Sequence, residues 1–217
     1  MRKPRFLALR VAEQPLRLLA LGDSYTIGEG VPTPASWPAR LADGLAATGH
    51  PAAPPVVVAK TGWTTDELLA AMPSAPLHPP YGLVTLQIGV NDQYRDRGLA
   101  SFQAGYDRLL QRAIALAGGR AARVLAVSIP DWGVTPFGAR DRRGPAAIGR
   151  AIDAFNACAR ERARAAGVPW ADVTETSRRA GSAPGMVAAD DLHPGAGQYA
   201  LWVRESLLPA SHRLLEA

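Results

Sequence analysis

The sequence predicts an α/β protein in which a parallel sheet of five strands is covered by helices on both faces. Two observations carry this prediction: short, continuous apolar segments alternate along the chain with longer segments whose apolar residues recur at helical spacing. Strands that are apolar throughout are typical of sheets buried on both sides. The chain has 217 residues, and we expect one domain over residues 1–217 with an irregular lead-in over residues 1–15.

The first half of the chain predicts three strands and two helices. The first apolar segment stops at Gly22. Ser36 is a candidate N-cap for the helix that follows, and Gly49 is typical of its end. Thr64 and Glu67 have the spacing of a capping box at the start of the second helix. In chain order, these five elements are predicted over residues 16–21, 37–47, 56–59, 65–72 and 83–88.

The second half of the chain predicts three helices and two strands. Gly118 and Gly119 are typical of the end of the first of these helices, and Pro130 ends the strand that follows it. Residues 131–144 contain glycine, proline and two aromatic residues and are predicted to form a long loop. In chain order, the five elements are predicted over residues 102–117, 124–129, 146–166, 168–173 and 196–208.

Short polar motifs follow the first three strands, and another precedes the last helix. The carboxyl ends of parallel strands share one edge of the sheet, and ligands of open α/β sheets bind there. The first three motifs should therefore meet at that edge, and the loop that carries the fourth can reach it. The motifs are Gly22-Asp23-Ser24, Lys60-Thr61-Gly62, Gly89-Val90-Asn91-Asp92 and Asp190-Asp191-Leu192-His193.

The residue types in these motifs are those needed for acyl transfer to a serine. The hydroxyl of Ser24 is a weak nucleophile that needs a neighbouring base, for which His193 is the candidate. The imidazole in turn needs a carboxylate to fix its tautomer. Asp190 lies three residues before His193, and in a helical turn this spacing places both side chains on one side. Asp191 is the rival, although residues two apart in such a turn point away from each other.

The tetrahedral intermediate of acyl transfer carries an oxyanion, which needs hydrogen-bond donors already aimed at it. We expect these donors to be the backbone N–H groups of Ser24 and Gly62 and the side-chain amide of Asn91. Asp23 and Asp92 are expected to brace the loops by accepting backbone hydrogen bonds.

Five aromatic residues follow the predicted strands, and two roles stay open for each. They can line the acyl or alcohol pocket of an ester site, or they can pack beneath the loops. The five residues are Tyr25, Trp63, Tyr94, Trp132 and Phe137.

The GDSYT, GVND and DLHP motifs, together with the isolated Gly62, resemble the conserved blocks of the SGNH or GDSL-type hydrolases. The blocks occur in the family's order, and Asp190 occupies the family's D-x-x-H position. Tyr25 stands where the family name has leucine. The resemblance implies a flavodoxin-like three-layer α/β/α fold with five parallel strands, ester hydrolysis through an acyl-serine, and no metal or organic cofactor. The four signature residues correspond to Ser24, Gly62, Asn91 and His193, of which the first three form the oxyanion hole of the family.

Composition argues against several other classes of protein. The net charge of +5 is spread over scattered arginines, so we do not expect nucleic acid as a partner. Cys158 is the only cysteine, which excludes an intramolecular disulfide, and no cluster has zinc-site spacing. The start of the chain lacks the apolar core of a signal peptide, and no segment approaches the roughly 18 apolar residues of a membrane span. The expected location is the cytoplasm.

The motifs together predict a serine esterase acting on a small-molecule ester. Because the loops are rich in glycine and proline and hold few aromatic residues, a shallow site and a short or acetyl acyl group are expected. One alternative is a lysophospholipase or thioesterase acting on longer acyl chains. An alternative of another class is a ligand-binding domain that kept the fold without catalysis, which predicts at least one broken motif. The alcohol part of the substrate and the oligomeric state stay open.

Overall fold

Five parallel strands form one sheet in a computed structural model that describes residues 14–216. The strand order is β2-β1-β3-β4-β5. Of the predicted lead-in, residues 1–13 lie outside the described part of the chain, and residues 14–15 belong to no helix or strand. The strands are β1 (Leu18–Gly22), β2 (Val56–Ala59), β3 (Leu83–Gln87), β4 (Val124–Val127) and β5 (Trp170–Ala171). The predicted parallel α/β fold is confirmed.

The helices fall into two packed groups, one on each side of this sheet. Helix α5 packs against α3 and α7, whereas α2 packs against α9 and α10. A π-helical segment, Val203–Leu207, joins the last two helices. The α-helices are α1 (Ser24–Ile27), α2 (Trp37–Ala47), α3 (Thr65–Ala71), α4 (Val90–Tyr94), α5 (Leu99–Leu116), α6 (Pro136–Arg140), α7 (Pro145–Ala165), α8 (Thr174–Ala180), α9 (Ala196–Trp202) and α10 (Leu208–Glu216).

Most predicted elements lie close to their predicted positions, whereas four short helices were not predicted. Helices α1, α4, α6 and α8 have four to seven residues, too few to show helical periodicity in the sequence. The prediction of one uninterrupted loop over residues 131–144 is wrong, because α6 begins there behind Thr135, whose hydroxyl accepts from the N–H of Gly138. The last helix continues past residue 208 to Glu216, and the fifth strand shrinks to two residues.

Two predicted caps of α2 differ in detail from the structure. Ser36 occupies the N-cap position, but its hydroxyl donates to the carbonyl of Thr33 at 2.7 Å and does not cap the helix. At the other end the C-cap is Thr48, and Gly49 follows it with a positive φ of 92°. The capping box of Thr64 and Glu67 is present at the start of α3, as predicted.

The register of the sheet places the ends of three strands at one edge. Gly22, the last residue of β1, pairs with Ala59 at the end of β2 and with Gln87 at the end of β3. Every residue of β1 and β3 is buried, which accounts for their unbroken apolar character except at Thr85 and Gln87. The chain therefore leaves the sheet at three adjacent points, which lie two, three and four residues before Ser24, Gly62 and Asn91. No helix within residues 14–216 has both the length and the apolar character required to span a bilayer.

Candidate active site

Ser24 begins a short helix directly after the first strand. Asp23 is the N-cap of α1, and its Oδ1 accepts the N–H of Tyr25 at 3.0 Å, as expected for a loop-bracing carboxylate. The turn before it is tightly packed, since a Cβ at Gly22 would lie 2.1 Å from the hydroxyl of Thr26. Ser24 is thus held at the first position of a helix, where backbone N–H groups have no acceptor within the helix.

Gly62 lies in a tight turn after the second strand. The N–H of Trp63 donates to the carbonyl of Lys60 at 3.2 Å, and Gly62 has a positive φ of 83°, which glycine adopts without strain. Arg95 donates to the carbonyl of Gly62 at 2.7 Å and pairs with Glu67 at 3.2 Å. This fixes the orientation of the peptide that follows Gly62.

Asn91 lies on α4, after the third strand, and is linked to the Gly62 turn. Its side-chain amide donates to the carbonyl of Trp63 at 2.9 Å. The neighbouring Asp92 accepts the N–H and the hydroxyl of Thr65 at 3.0 and 2.8 Å, the bracing role predicted for it. These bonds tie α4 to the start of α3, so the Gly62 turn and Asn91 keep a fixed relative position.

His193 pairs with Asp190 in the loop before α9. The Nδ1 of His193 lies 2.6 Å from Oδ2 of Asp190, while the other carboxylate oxygen accepts the N–H groups of Leu192 and His193 at 3.0 and 2.9 Å. Partial burial by itself would raise the pKa of Asp190, but these hydrogen bonds outweigh it and hold that pKa below its usual value. Asp191 instead pairs with Arg140 at 2.9 Å.

A cavity of about 210 Å³ brings most of these groups together. Among residues 14–216, the only side-chain hydrogen bond of His193 is to Asp190, and bonds from a nucleophile to its base are often long before substrate binds. The cavity is lined by Ser24, Tyr25, Thr61, Gly62, Val90, Asn91, Tyr94, Trp132, Phe137, Leu192 and His193. It thus gathers a hydroxyl, an imidazole paired with a carboxylate, and amide donors.

Four of the five aromatic candidates line this cavity, and Trp63 does not. Trp63 is half-buried against the core and contributes its carbonyl to Asn91. Tyr25, which is only 3% exposed, sets its ring against His193 with ring centroids 5.7 Å apart and an interplanar angle of 65°. The ring of Tyr25 also lies near that of Trp202, with ring centroids 6.4 Å apart.

Sequence reasoning did not single out three of the lining residues, nor one residue that packs behind two of the lining aromatic rings. Thr61, Val90 and Leu192 belong to the recognised motifs and directly precede Gly62, Asn91 and His193, but no role was assigned to them from the sequence. Arg143, whose guanidinium stacks on Tyr94 and Trp132, gave no signal in the sequence. Within residues 14–216, no three His, Cys, Asp or Glu side chains are grouped as a metal ion would require.

Comparisons with known proteins identify the family and the fold of this chain. The sequence model of the GDSL-like Lipase/Acylhydrolase family matches residues 20–201. The chain is similar to the crystal structure of TesA, with 26% identity, coverage of 92% of this chain and 99% of that chain, and a TM-score of 0.70. A search of curated proteins gave no sequence match.

Two further solved structures share the fold. The psychrotrophic esterase EstA from Pseudoalteromonas sp., in a structure inhibited by monoethylphosphonate, has 18% identity, coverage of 93% and 99% of the two chains and a TM-score of 0.70. The lipase/acylhydrolase from Enterococcus faecalis has 21% identity, coverage of 92% and 95% and a TM-score of 0.68.

Proposed function

Because the chain belongs to the GDSL-like Lipase/Acylhydrolase family, we propose that it is a serine esterase that hydrolyses carboxylic esters through an acyl-serine intermediate. One observation carries this proposal. A single cavity is lined by Ser24, Gly62, Asn91 and His193, and Asp190 lies 2.6 Å from the imidazole at its rim.

Asp190 and His193 activate the nucleophile. The carboxylate of Asp190 accepts a hydrogen bond from the N–H at Nδ1, which leaves Nε2 of His193 as the basic nitrogen. Nε2 takes the proton from Ser24 Oγ as the oxygen attacks the carbonyl carbon of the ester. Because the pKa of Asp190 is lowered, this residue stays ionised and stabilises the imidazolium that forms.

The oxyanion of the tetrahedral intermediate is bound by three donors. These are the N–H of Ser24, the N–H of Gly62 and one hydrogen of the Asn91 amide, whose other hydrogen is held by Trp63. Loss of one such donor raises the barrier by about 3–4 kcal/mol. The links between Asn91 and the Gly62 turn keep the donors in place before the substrate binds.

The reaction then proceeds in two halves. His193 returns its proton to the ester oxygen, the bond between that oxygen and the acyl carbon breaks, and the alcohol leaves with the acyl group on Ser24. A water molecule next loses its proton to His193 and attacks the acyl carbon. As the second intermediate collapses, the bond between Ser24 Oγ and the acyl carbon breaks and His193 returns the proton to Oγ, which releases the carboxylic acid and restores the hydroxyl.

The size of the cavity supports a short acyl group. Its volume is about 210 Å³, which is smaller than the roughly 300–1,000 Å³ of pockets that hold larger ligands. An ester carbonyl with a few methylene groups fits this space. Four aromatic and two aliphatic side chains line it, which suits an apolar acyl group rather than a charged one.

Turnover of a chromogenic ester series by matched variants tests this function. Ser24→Ala and His193→Ala should each lower kcat/KM for p-nitrophenyl acetate by about 10³-fold or more, because each removes a group that takes part in the reaction. Ser101→Ala and His78→Ala change exposed residues of the same types and serve as controls. A phosphonate ester should label the parent on Ser24 and leave Ser24→Ala unlabelled.

Two outcomes would contradict the proposal in different ways. Equal turnover by the parent, Ser24→Ala and His193→Ala would exclude the enzyme as proposed. Activity that rises steadily from acetate to long acyl chains would keep the mechanism but assign a lipid-like or thioester substrate.

A further inference from the structure

Tyr94 separates the catalytic cavity from a second, larger cavity. It lines both the cavity of about 210 Å³ that holds Ser24 and a neighbouring cavity of about 650 Å³. The second cavity has a polar, charged lining that includes Asp96, Arg142 and Arg143. The ring of Tyr94 is therefore the wall that closes one side of the catalytic cavity.

Arg143 stacks on the aromatic wall. Its guanidinium carbon lies 4.7 Å from the ring centroid of Tyr94 and 4.8 Å from that of Trp132. The two rings also contact each other, with centroids 5.5 Å apart and an interplanar angle of 65°. A guanidinium in this position attracts both ring faces and holds the two rings together.

Asp141 fixes the guanidinium of Arg143. Nε and Nη2 of Arg143 each donate to a different oxygen of Asp141 at 2.8 Å, which is the two-pronged geometry that orients a guanidinium plane. Nη1 donates to the backbone carbonyl of Tyr94 at 3.2 Å. The hydrogen bonds from Arg143 also lower the pKa of Asp141, so the pair remains charged at neutral pH.

The two aromatic residues of the wall are held to different degrees. Trp132 is 1% exposed, and its indole N–H donates to Oε1 of Gln93 at 2.9 Å. Tyr94 is 44% exposed. Its ring therefore depends more strongly on Arg143 for a fixed position than the ring of Trp132 does.

We propose that Arg143, oriented by Asp141, holds Tyr94 as a wall that restricts the substrate to short acyl chains. The proposal rests on the esterase function proposed above and assigns it a specificity-determining residue, Tyr94, and two positioning residues. A longer acyl chain would have to displace Tyr94 toward the second cavity and break its stacking with Arg143. A short acyl group does not reach that wall, so its turnover depends less on Arg143.

The ratio of kcat/KM for p-nitrophenyl octanoate to that for p-nitrophenyl acetate tests the proposal. Arg143→Ala should raise this ratio roughly five- to tenfold, the change expected when one cation–π contact no longer opposes the longer chain. Arg143→Lys keeps the charge but loses the planar guanidinium that stacks on the rings, and it should also raise the ratio. Arg142→Ala is the matched control, because it removes an exposed neighbouring arginine from the same second cavity.

A double variant distinguishes an effect that acts through the Tyr94 ring from a general loss of stability. In Tyr94→Ala the ring is gone, so the ratio should rise, and adding Arg143→Ala should change it no further. An unchanged ratio in both Arg143→Ala and Arg143→Lys, with all esters slowed equally, would overturn the proposal. An equal rise in Arg142→Ala would also overturn it, because charge in the second cavity would then be the cause.

Failure of the proposed function has a different signature. If the parent hydrolyses no ester and Ser24 is not labelled by a phosphonate, the esterase function fails and the acyl-length restriction fails with it. If the parent hydrolyses acetate with Ser24 labelled while the ratio does not respond to Arg143, only the role of Arg143 fails.

Discussion

Asp190 is engaged by three N–H groups, whereas its neighbour Asp191 faces a different partner. The carboxylate of Asp190 receives hydrogen bonds from the imidazole and the backbone of His193 and from the backbone of Leu192. Asp191 has a positive φ of 64° and pairs with Arg140 at the surface. The change of backbone conformation between the two residues turns their side chains apart.

We therefore expect a large effect on turnover from substituting Asp190 and a small effect from substituting Asp191. Asp190→Ala should lower kcat/KM for a short ester by about 10³-fold or more, because the imidazole loses the group that fixes its tautomer. Asp191→Ala removes only an exposed ion pair and should change kcat/KM by less than about threefold. Steady-state kinetics of the two variants measures this, and the reverse order would reassign the orienting carboxylate.

Asp23 is a buried carboxyl group next to the proposed nucleophile. Burial raises its pKa to about 8, the N–H of Tyr25 partly opposes this, and the nearby charge of Asp92 adds to the rise. In the unfolded chain the pKa is about 3.9. Between these two values the folded state keeps a proton that the unfolded state releases, so stability falls as the pH rises from about 4 to 8.

Asp23→Asn should remove this part of the pH dependence. Asparagine caps a helix about as well as aspartate, and its amide does not titrate. The melting temperature of the variant relative to the parent should rise between pH 5 and pH 8, by about 3 °C or more at pH 8. Asp43→Asn changes an exposed carboxyl group and is the control in the same thermal melts. If the melting temperatures of the parent and of Asp23→Asn changed in parallel with pH, the result would contradict the raised pKa of Asp23.

At the scale of elements, short helices begin close to the ends of the strands that carry the site. Ser24 starts α1 two positions after the last residue of β1, and α4 starts at Val90, three positions after β3 ends. A helix that begins at this edge presents its unpaired backbone N–H groups there. The short helices therefore contribute to the proposed oxyanion site.

The turn between β1 and α1 has room only for glycine at position 22. An added Cβ would lie 2.1 Å from Oγ1 of Thr26 and 2.5 Å from the carbonyl of Gln87. Gly22→Ala should therefore lower the free energy of unfolding by about 3 kcal/mol. It should also reduce ester turnover, because the start of α1 must move.

Gly49→Ala provides the comparison for this substitution. No atom lies within 4 Å of an added Cβ there, and only its φ of 92° opposes alanine, at a cost of about 1 kcal/mol. Denaturant unfolding and ester turnover measure both variants. The expectation fails if Gly22→Ala loses no more stability than Gly49→Ala and keeps the turnover of the parent. That result would show that the turn adjusts without moving Ser24.

At the scale of the whole molecule, the strand order brings separate parts of the chain together. β1 lies between β2 and β3, so the turns that carry Ser24, Gly62 and Asn91 are neighbours at one edge of the sheet. The loop before α9 closes this edge with His193, 169 positions after Ser24 in the sequence. A hydroxyl from the start of the chain and an imidazole from its end thus line one cavity.

The sequence by itself determined the parallel α/β fold, the long elements and the family, because unbroken apolar segments, helical spacing and ordered motifs are local patterns. It also indicated which residues belong to the cavity wherever a motif named them. The catalytic roles of Ser24, Asp190 and His193 remain predictions that the proposed variants test, and the oxyanion-hole roles of Gly62 and Asn91 also remain predictions.

Only the tertiary structure decided the contacts between remote side chains. It placed Trp63 outside the lining of the cavity, shortened the last strand to two residues, and brought Arg143 onto Tyr94 from 49 positions away. The physical reason is that such contacts depend on how whole elements pack. Local spacing fixes only the direction of a side chain within its own helix or strand.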